Sequence, residues 1–236
     1  MKIGIVLAMD EELDSILPYL SNRKDFRLFD LDFYSGNISN CEVILVKSGV
    51  GKVNSSRATQ ILIGNLFVDY IINIGVAGGI DEILNVGDIV LGTKLIQHDF
   101  DITAFNHNKG YINSKIGDYI ESDIYLNSLF LEANKDKSVR IVEGIIASGD
   151  IFITDYSMSK KINTKFNALA TEMEGAAIAQ VCYLSNIPFV IIRSISDVVG
   201  KTNLIEYDKF LENNCSIVSK LLVKMLDLIS KNNINN

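Results

Sequence analysis

The chain has little with which to hold a metal, a disulfide framework or a polyanion. It contains only two histidines, His98 and His107. No third ligand spacing completes the stretch His98-Asp99-Phe100-Asp101 into a site, so no metal is expected. The three cysteines, Cys41, Cys182 and Cys215, are odd in number, far apart and free of any C-x-x-C pair. That pattern argues against a disulfide framework and a zinc cage, and it suits a reducing cytoplasm. Lysine and arginine total 22 against 29 aspartates and glutamates, a formal net charge of -7. Nucleic-acid readers need clustered cations to displace counterions, so DNA, RNA and anionic membrane surfaces are not expected partners. No apolar run approaches the roughly 18 residues that a membrane helix needs. The run Ile3 to Met9 is followed at once by Asp10, Glu11 and Glu12 with no small-residue cleavage site, so it is expected to be a strand rather than a signal segment.

What is present is ordinary globular composition, 48% apolar and 22% charged with two prolines and no tryptophan, in a chain long enough to bury a sizeable core. Short β-rich runs are expected at Ile3–Ala8, Glu42–Lys47, Tyr70–Ile74, Asp88–Leu95, Val139–Ser148, Ala168–Thr171 and Phe189–Ile195. Helical patterns fall at Glu11–Leu20, Lys52–Leu66, Ile120–Ala133, Glu174–Ser185 and Tyr207–Ser230. This alternation, with no Pro/Gly-rich linker, predicts one α/β domain over residues 1–230 around a largely buried sheet, with a polar, disordered tail at 231–236.

Ligands of open α/β sheets bind beyond the carboxyl ends of the strands. Four such places carry chemistry: Asp10-Glu11-Glu12, a flexible loop Gly75-Val76-Ala77-Gly78-Gly79, Glu172-Met173-Glu174, and Ser196-Asp197. The acids at 10–12 have an alternative reading as partners of a helix dipole. Glu172 and Glu174 share a crevice only if the chain between them is extended, and their small, apolar neighbours imply close packing. Asp197 follows a near-continuous buried strand, where burial would raise its pKa and make it a proton donor. The glycines at 75–79, like Ser48-Gly49-Val50-Gly51-Lys52, lack both the G-x-G-x-x-G spacing and a Walker lysine. They mean only that backbone or ligand approaches closely. Phe105 and Phe152 are either core aromatics or stacking platforms for a flat ligand.

In order along the chain, M-K-I-G-I-V-L-A-M-D-E-E-L, K-S-G-V-G-K-V-N, I-N-I-G-V-A-G-G, V-G-D-I-V, H-D-F-D-I-T-A-F, S-G-D-I-F-I, T-E-M-E-G-A-A-I-A and R-S-I-S-D resemble the 5'-methylthioadenosine/S-adenosylhomocysteine nucleosidases. The resemblance implies a nucleoside phosphorylase-like fold, a single three-layer α/β domain with a central mixed β-sheet, as a homodimer without a cofactor. It makes Glu12 the general base on water, Asp197 the acid that protonates N7 of adenine with Ser196 orienting it, and Glu174 with Met173 the holder of the ribose. It makes Glu172 and Arg193 orienting residues, Phe152 the adenine-stacking ring and Ile153 a backbone partner of the base edge. Ala8, Met9, Val50, Val76, Ala77 and Gly78 are implied to touch substrate, Tyr207 to sit in a lid, and Ile102 and Phe105 to be lent to the neighbouring subunit's site. The chain departs from the pattern at Val76, where a water-contacting serine is expected, and at His107, Asn113 and Tyr207. Three rivals stay open: an aminodeoxyfutalosine nucleosidase, a phosphate-dependent phosphorylase and a non-catalytic nucleoside-binding protein. The first differs in the 5' pocket, the second would need cations facing the glycine-rich segment, and the third would need neither acid nor base.

Overall fold

A computed structural model describes residues 1–198 and 204–234, with side chains described for 1–198 and 214–232. Among them are ten strands and six helices. In chain order they are β1 (Lys2–Leu7), α1 (Asp10–Ile16), β2 (Ser21–Leu28), β3 (Leu31–Ile38), β4 (Cys41–Lys47), α2 (Lys52–Gly64), β5 (Tyr70–Gly79), β6 (Ile89–Gln97), β7 (Ile120–Glu121), α3 (Ile124–Ala133), β8 (Ile141–Ser148), α4 (Tyr156–Phe166), β9 (Ala168–Glu172), α5 (Gly175–Ser185), β10 (Phe189–Val198) and α6 (Leu204–Ile234).

The strands form one mixed sheet in the order β10-β6-β8-β9-β5-β1-β4-β3-β2. β10 also pairs with β5, so β5, β10, β6, β8 and β9 close into a ring from which β1, β4, β3 and β2 extend as a wing. The period-2 pattern of buried strands explains the layers. Ile3, Ile5 and Leu7 of β1 pack with α1, α3 and α6 through Leu13, Phe130 and Leu222. Val6, between them, packs on the other side with Ala58 and Leu62 of α2 and Ile178 and Cys182 of α5. The outcome is the expected α/β domain with a central mixed sheet between helical layers. No helix among the described residues is long and apolar enough to cross a membrane. All three cysteines are buried, and none is in a disulfide.

Several elements differ from the sequence expectation. β2 and β3 form a hairpin that the apolar pattern did not predict: most of β2 is solvent-exposed, and its two-residue turn uses Phe29 and Asp30 at φ 48° and 63° rather than Asn-Gly. Helix α4 was also unpredicted, although Asp155 caps it by accepting from the Met158 N–H at 2.7 Å and Ile162 and Phe166 are buried four apart. The segment 75–79 is not a loop but the end of β5. Residues 120–121 pair with β6, and α3 starts only after the Asp123 cap. Helix α6 continues through Lys231–Ile234, where a disordered tail was expected; 235–236 lie outside the described residues.

Candidate active site

The ends of β1, β5, β9 and β10 meet at a cleft of about 650 Å³, counting its open mouth. Glu12, Glu172, Glu174 and Asp197 all line it, as do Ala8, Met9, Val50, Val76, Ala77, Gly78, Phe152, Ile153, Met173 and Ser196. The structure thus brings these sequence-predicted positions together at one cleft. Thr171 and Ile151 line the cleft too and were not anticipated. Both are immediate neighbours of anticipated residues, which was the available signal.

Glu12 reconciles its two readings. It is the third residue of α1, and its Oε2 accepts the N–H groups of Ala8 (2.6 Å) and Met9 (3.2 Å), closing the start of the helix. Its Oε1 accepts the Val76 N–H at 3.2 Å, so the same carboxylate bridges α1 to β5. Asp10 and Glu11, by contrast, are exposed, and Asp10 pairs with Lys47 at 2.5 Å.

Below the cleft floor lies Arg193, fully buried in β10. Its Nη2 donates to Asn73 Oδ1 at 2.6 Å and to Glu172 Oε2, and stands 3.6 Å from Glu174 Oε2. Glu172 is satisfied on both oxygens: Oε2 also accepts from the N–H of Glu174 (3.0 Å) and Gly175 (2.7 Å), and Oε1 accepts from Ser148. β9 ends at Glu172, and Glu174 occupies the cap of α5 at φ -132°. A bend at 173–174, with Glu174 at ψ -44° rather than extended, brings both acids to the cleft, where the spacing predicted an extended chain. Glu174 Oε1 accepts the Gly51 N–H at 2.8 Å.

Three buried carboxylates share one guanidinium, and the imbalance shows in their acidity. Burial, then the neighbouring Glu172 charge, pushes Glu174 up to about 7, against the opposing pull of Arg193. Burial likewise raises Glu12, opposed by Arg193 and by its three backbone donors. Asp197 is raised by burial, with the Ser196 hydroxyl (2.9 Å to Oδ1) pulling the other way.

Asp197 reaches the cleft through a bulge. Ile195 pairs with Ala77 and Asp197 with Gly78, leaving Ser196 as the extra residue. Its hydroxyl lies 3.3 Å from the Ala77 carbonyl and 2.9 Å from Asp197. Bulges of this kind re-aim a side chain next to a ligand site. Phe152 and Val50 stand half open at the mouth.

Ile102 and Phe105, implied to be lent to the neighbouring subunit's site, do not line this chain's own cleft. They bound a short 3₁₀ turn after β6, and Phe105 is 75% exposed. The Tyr207 side chain lies outside the described residues. His107 stacks on Tyr111 at 4.2 Å, and Asn113 Oδ1 accepts the N–H groups of Lys115 and Ile116 in a turn, so neither lines the cleft. Among the described residues no three His, Cys, Asp or Glu side chains are grouped to hold a metal ion.

The chain whose strand ring gathers these carboxylates is matched over residues 2–227 by the model of the phosphorylase superfamily. A 5'-methylthioadenosine/S-adenosylhomocysteine nucleosidase of Anoxybacillus flavithermus is 37% identical over 232 residues, 98% of this chain and 100% of that protein. The crystal structure of the Campylobacter jejuni enzyme of the same name superposes with a TM-score of 0.91 at 36% identity, over 96% of this chain and 99% of that one. A futalosine hydrolase of Helicobacter pylori superposes with a TM-score of 0.91 at 35% identity, over 96% and 97%. The chain belongs to the 5'-methylthioadenosine/S-adenosylhomocysteine nucleosidase family.

Two outcomes follow from the geometry. A Cβ on Gly75 would collide with Arg193 Nη1 and stand 2.5 Å from Glu12 Oε1. Neither buried group can retreat, so Gly75→Ala should lower unfolding free energy by about 1–3 kcal/mol in urea titration. Glu174 is shifted from 4.5 to about 7, so between those values the folded chain holds a proton that the unfolded chain has released. Its contribution to stability is greatest below the unfolded value and declines as pH rises through about 7. Glu174→Gln should accordingly gain on the wild type by roughly 1–3 kcal/mol between about pH 5 and pH 8, read as the difference of two denaturation series.

Proposed function

We propose that the protein hydrolyses the N-ribosidic bond of 5'-methylthioadenosine and S-adenosylhomocysteine, releasing adenine and the thioribose sugar. The observation that carries this reading is the composition of the cleft wall: four carboxylates and, among the described residues, no basic side chain. The one nearby guanidinium is spent on Glu172, Asn73 and Glu174 beneath the floor. An N-ribosidic bond breaks through an oxocarbenium-like state that is favoured by negative charge near the sugar, a protonated leaving base and a positioned water. Phosphate as nucleophile would instead meet carboxylates in a poorly solvated site, which disfavours it by several kcal/mol.

In this mechanism Glu12, raised by burial and held by three N–H donors, takes the proton of the attacking water. Asp197, also raised, gives its proton to N7 so that adenine leaves neutral, with Ser196 fixing the carboxyl. Glu174 and Met173 hold the ribose, and the Glu174 anion faces the developing positive charge. Glu172 and Arg193 act by placing Glu174. Phe152 stacks on the purine and Ile153 offers backbone groups to its edge, while Val50, Ala77 and Gly78 shape the wall. Val76 brings its N–H to Glu12 but no hydroxyl to the water. Tyr207 is assigned to the lid. Three buried cysteines outside any disulfide support a reducing, cytoplasmic setting.

Asp197→Asn and Glu12→Gln should each lower turnover of 5'-methylthioadenosine by about 10²- to 10⁴-fold or more in phosphate-free buffer, assayed by chromatography of adenine and methylthioribose. Near-normal turnover in either would remove that residue from its role. Adenine release that requires added phosphate would overturn hydrolysis itself. Because a relative named futalosine hydrolase superposes equally well, aminodeoxyfutalosine is the comparison substrate.

The exposure of Phe105 supports a homodimer in which Ile102 and Phe105 close the neighbour's 5'-alkylthio pocket. Specific activity should then fall on dilution in step with dissociation measured by light scattering. Undiminished activity of monomers would refute the shared pocket.

A further inference from the structure

Outside the cleft, three chain segments are tied into a closed ring of charged groups that no step above uses. Lys52, the first residue of α2, reaches Asp99 Oδ1 at 2.6 Å and Gln97 Oε1 at 3.1 Å with its ammonium. The other Asp99 oxygen accepts the Asp150 N–H at 2.9 Å. Asp150 Oδ1 in turn accepts the Lys52 backbone N–H at 2.8 Å, which closes the ring. Lys52 and Asp99 are 17% and 19% exposed, so this pair is little screened by solvent. Burial alone would raise the Asp99 carboxyl; the Lys52 ammonium and the Asp150 N–H outweigh it and hold it below the usual range.

The ring joins the turn after β4, the end of β6 and the turn after β8. Each of its outer members is one or two residues from the cleft. Gly51, adjacent to Lys52, donates its N–H to Glu174. Phe152, two residues from Asp150, lines the mouth. Within the turn, Asn54 Nδ2 donates to the Val50 carbonyl at 2.7 Å and so holds the peptide that carries the Gly51 N–H, while Gly51 itself sits at φ 104° and caps α2 without a side chain. The next peptide is held from the ring, because the Lys52 N–H donates to Asp150 at 2.8 Å, so Asn54 and the ring grip Gly51 from its two sides.

We infer that the Lys52–Asp99–Asp150 ring is a positioning device for the sugar-holding carboxylate, aiming the Gly51 N–H at Glu174 and setting the height of Phe152 over the cleft. Lys52, Asp99 and Asp150 are positioning residues that touch neither substrate nor the reacting atoms. The activity readout of this inference rests on the nucleosidase reading, whereas its geometric content does not.

The test compares Lys52→Met, Lys52→Arg and Asp99→Asn with the wild type. Amide hydrogen exchange of the full chain comes first. Lys52→Met should speed exchange at Gly51 and Lys52 by at least about tenfold while that of α5 stays unchanged. Steady-state kinetics with 5'-methylthioadenosine in phosphate-free buffer follow. There Lys52→Met should lose at least about tenfold in kcat/KM, with KM raised and the pH profile displaced to higher pH, because Glu174 has lost a hydrogen bond to its charged form. Lys52→Arg should restore most of this, and Lys52→Met with Asp99→Asn should cost no more than Lys52→Met alone. Unchanged exchange at Gly51 overturns the ring, as does a loss of activity explained wholly by a smaller folded fraction with KM and pH profile intact. If the wild type itself is silent, the nucleosidase reading fails and the ring is decided by the exchange result alone.

Discussion

A fully buried guanidinium constrains everything around it, because an unpaired charge in the interior costs several kcal/mol. Arg193 meets that constraint from the middle of β10, where it can be reached by Asn73 from β5 and by Glu172 from the end of β9. Gly75 must lack a side chain to let the guanidinium through. Asn73 is in turn anchored by donating to the Val6 carbonyl at 2.9 Å. The cleft floor is thus part of the sheet, built from strand residues that are also core neighbours, and its carboxylates have little freedom to relax away from one another.

The same arrangement explains how negative charge persists where solvent is largely excluded. Three carboxylates face one cation, and the deficit is met by oriented backbone: the N–H groups of Ala8, Met9 and Val76 serve Glu12, those of Glu174 and Gly175 serve Glu172, and that of Gly51 serves Glu174. Backbone donors carry no net charge, so they hold the acids in place without neutralising the site. Such preorganised polarity stabilises charge that develops during a reaction and needs no reorganisation at that moment.

Much of this was legible in the chain. β1, β4 and β10 are apolar runs bounded by polar residues, and the acids after β1, β9 and β10 stand where open sheets place ligands. The Glu172–Glu174 spacing pointed to a shared crevice but predicted an extended chain, where a bend does the work. Other features were hidden for identifiable reasons. β2 carries a solvent-facing pattern, and its Phe-Asp turn into β3 has no hairpin signature. The ring closure of β10 onto β5 is a long-range pairing with no local trace. Residues 75–79 look like a loop because glycines are scarce in strands, yet here they let Arg193 and Asp197 approach closely. The bulge at Ser196 depends on a register shift between two strands, which no single-strand pattern records.

The closed ring also leaves the sheet with few open margins. β5, β10, β6, β8 and β9 satisfy one another around the circuit, so the long free margin is β2, at the tip of the wing. Its residues Ser21 to Asp25 and Arg27 are exposed, and Arg23, Lys24, Asp25 and Arg27 crowd it with charge. A strand so furnished is a poor template for another chain. The hairpin that carries no part of the cleft therefore guards the molecule against edge-to-edge aggregation.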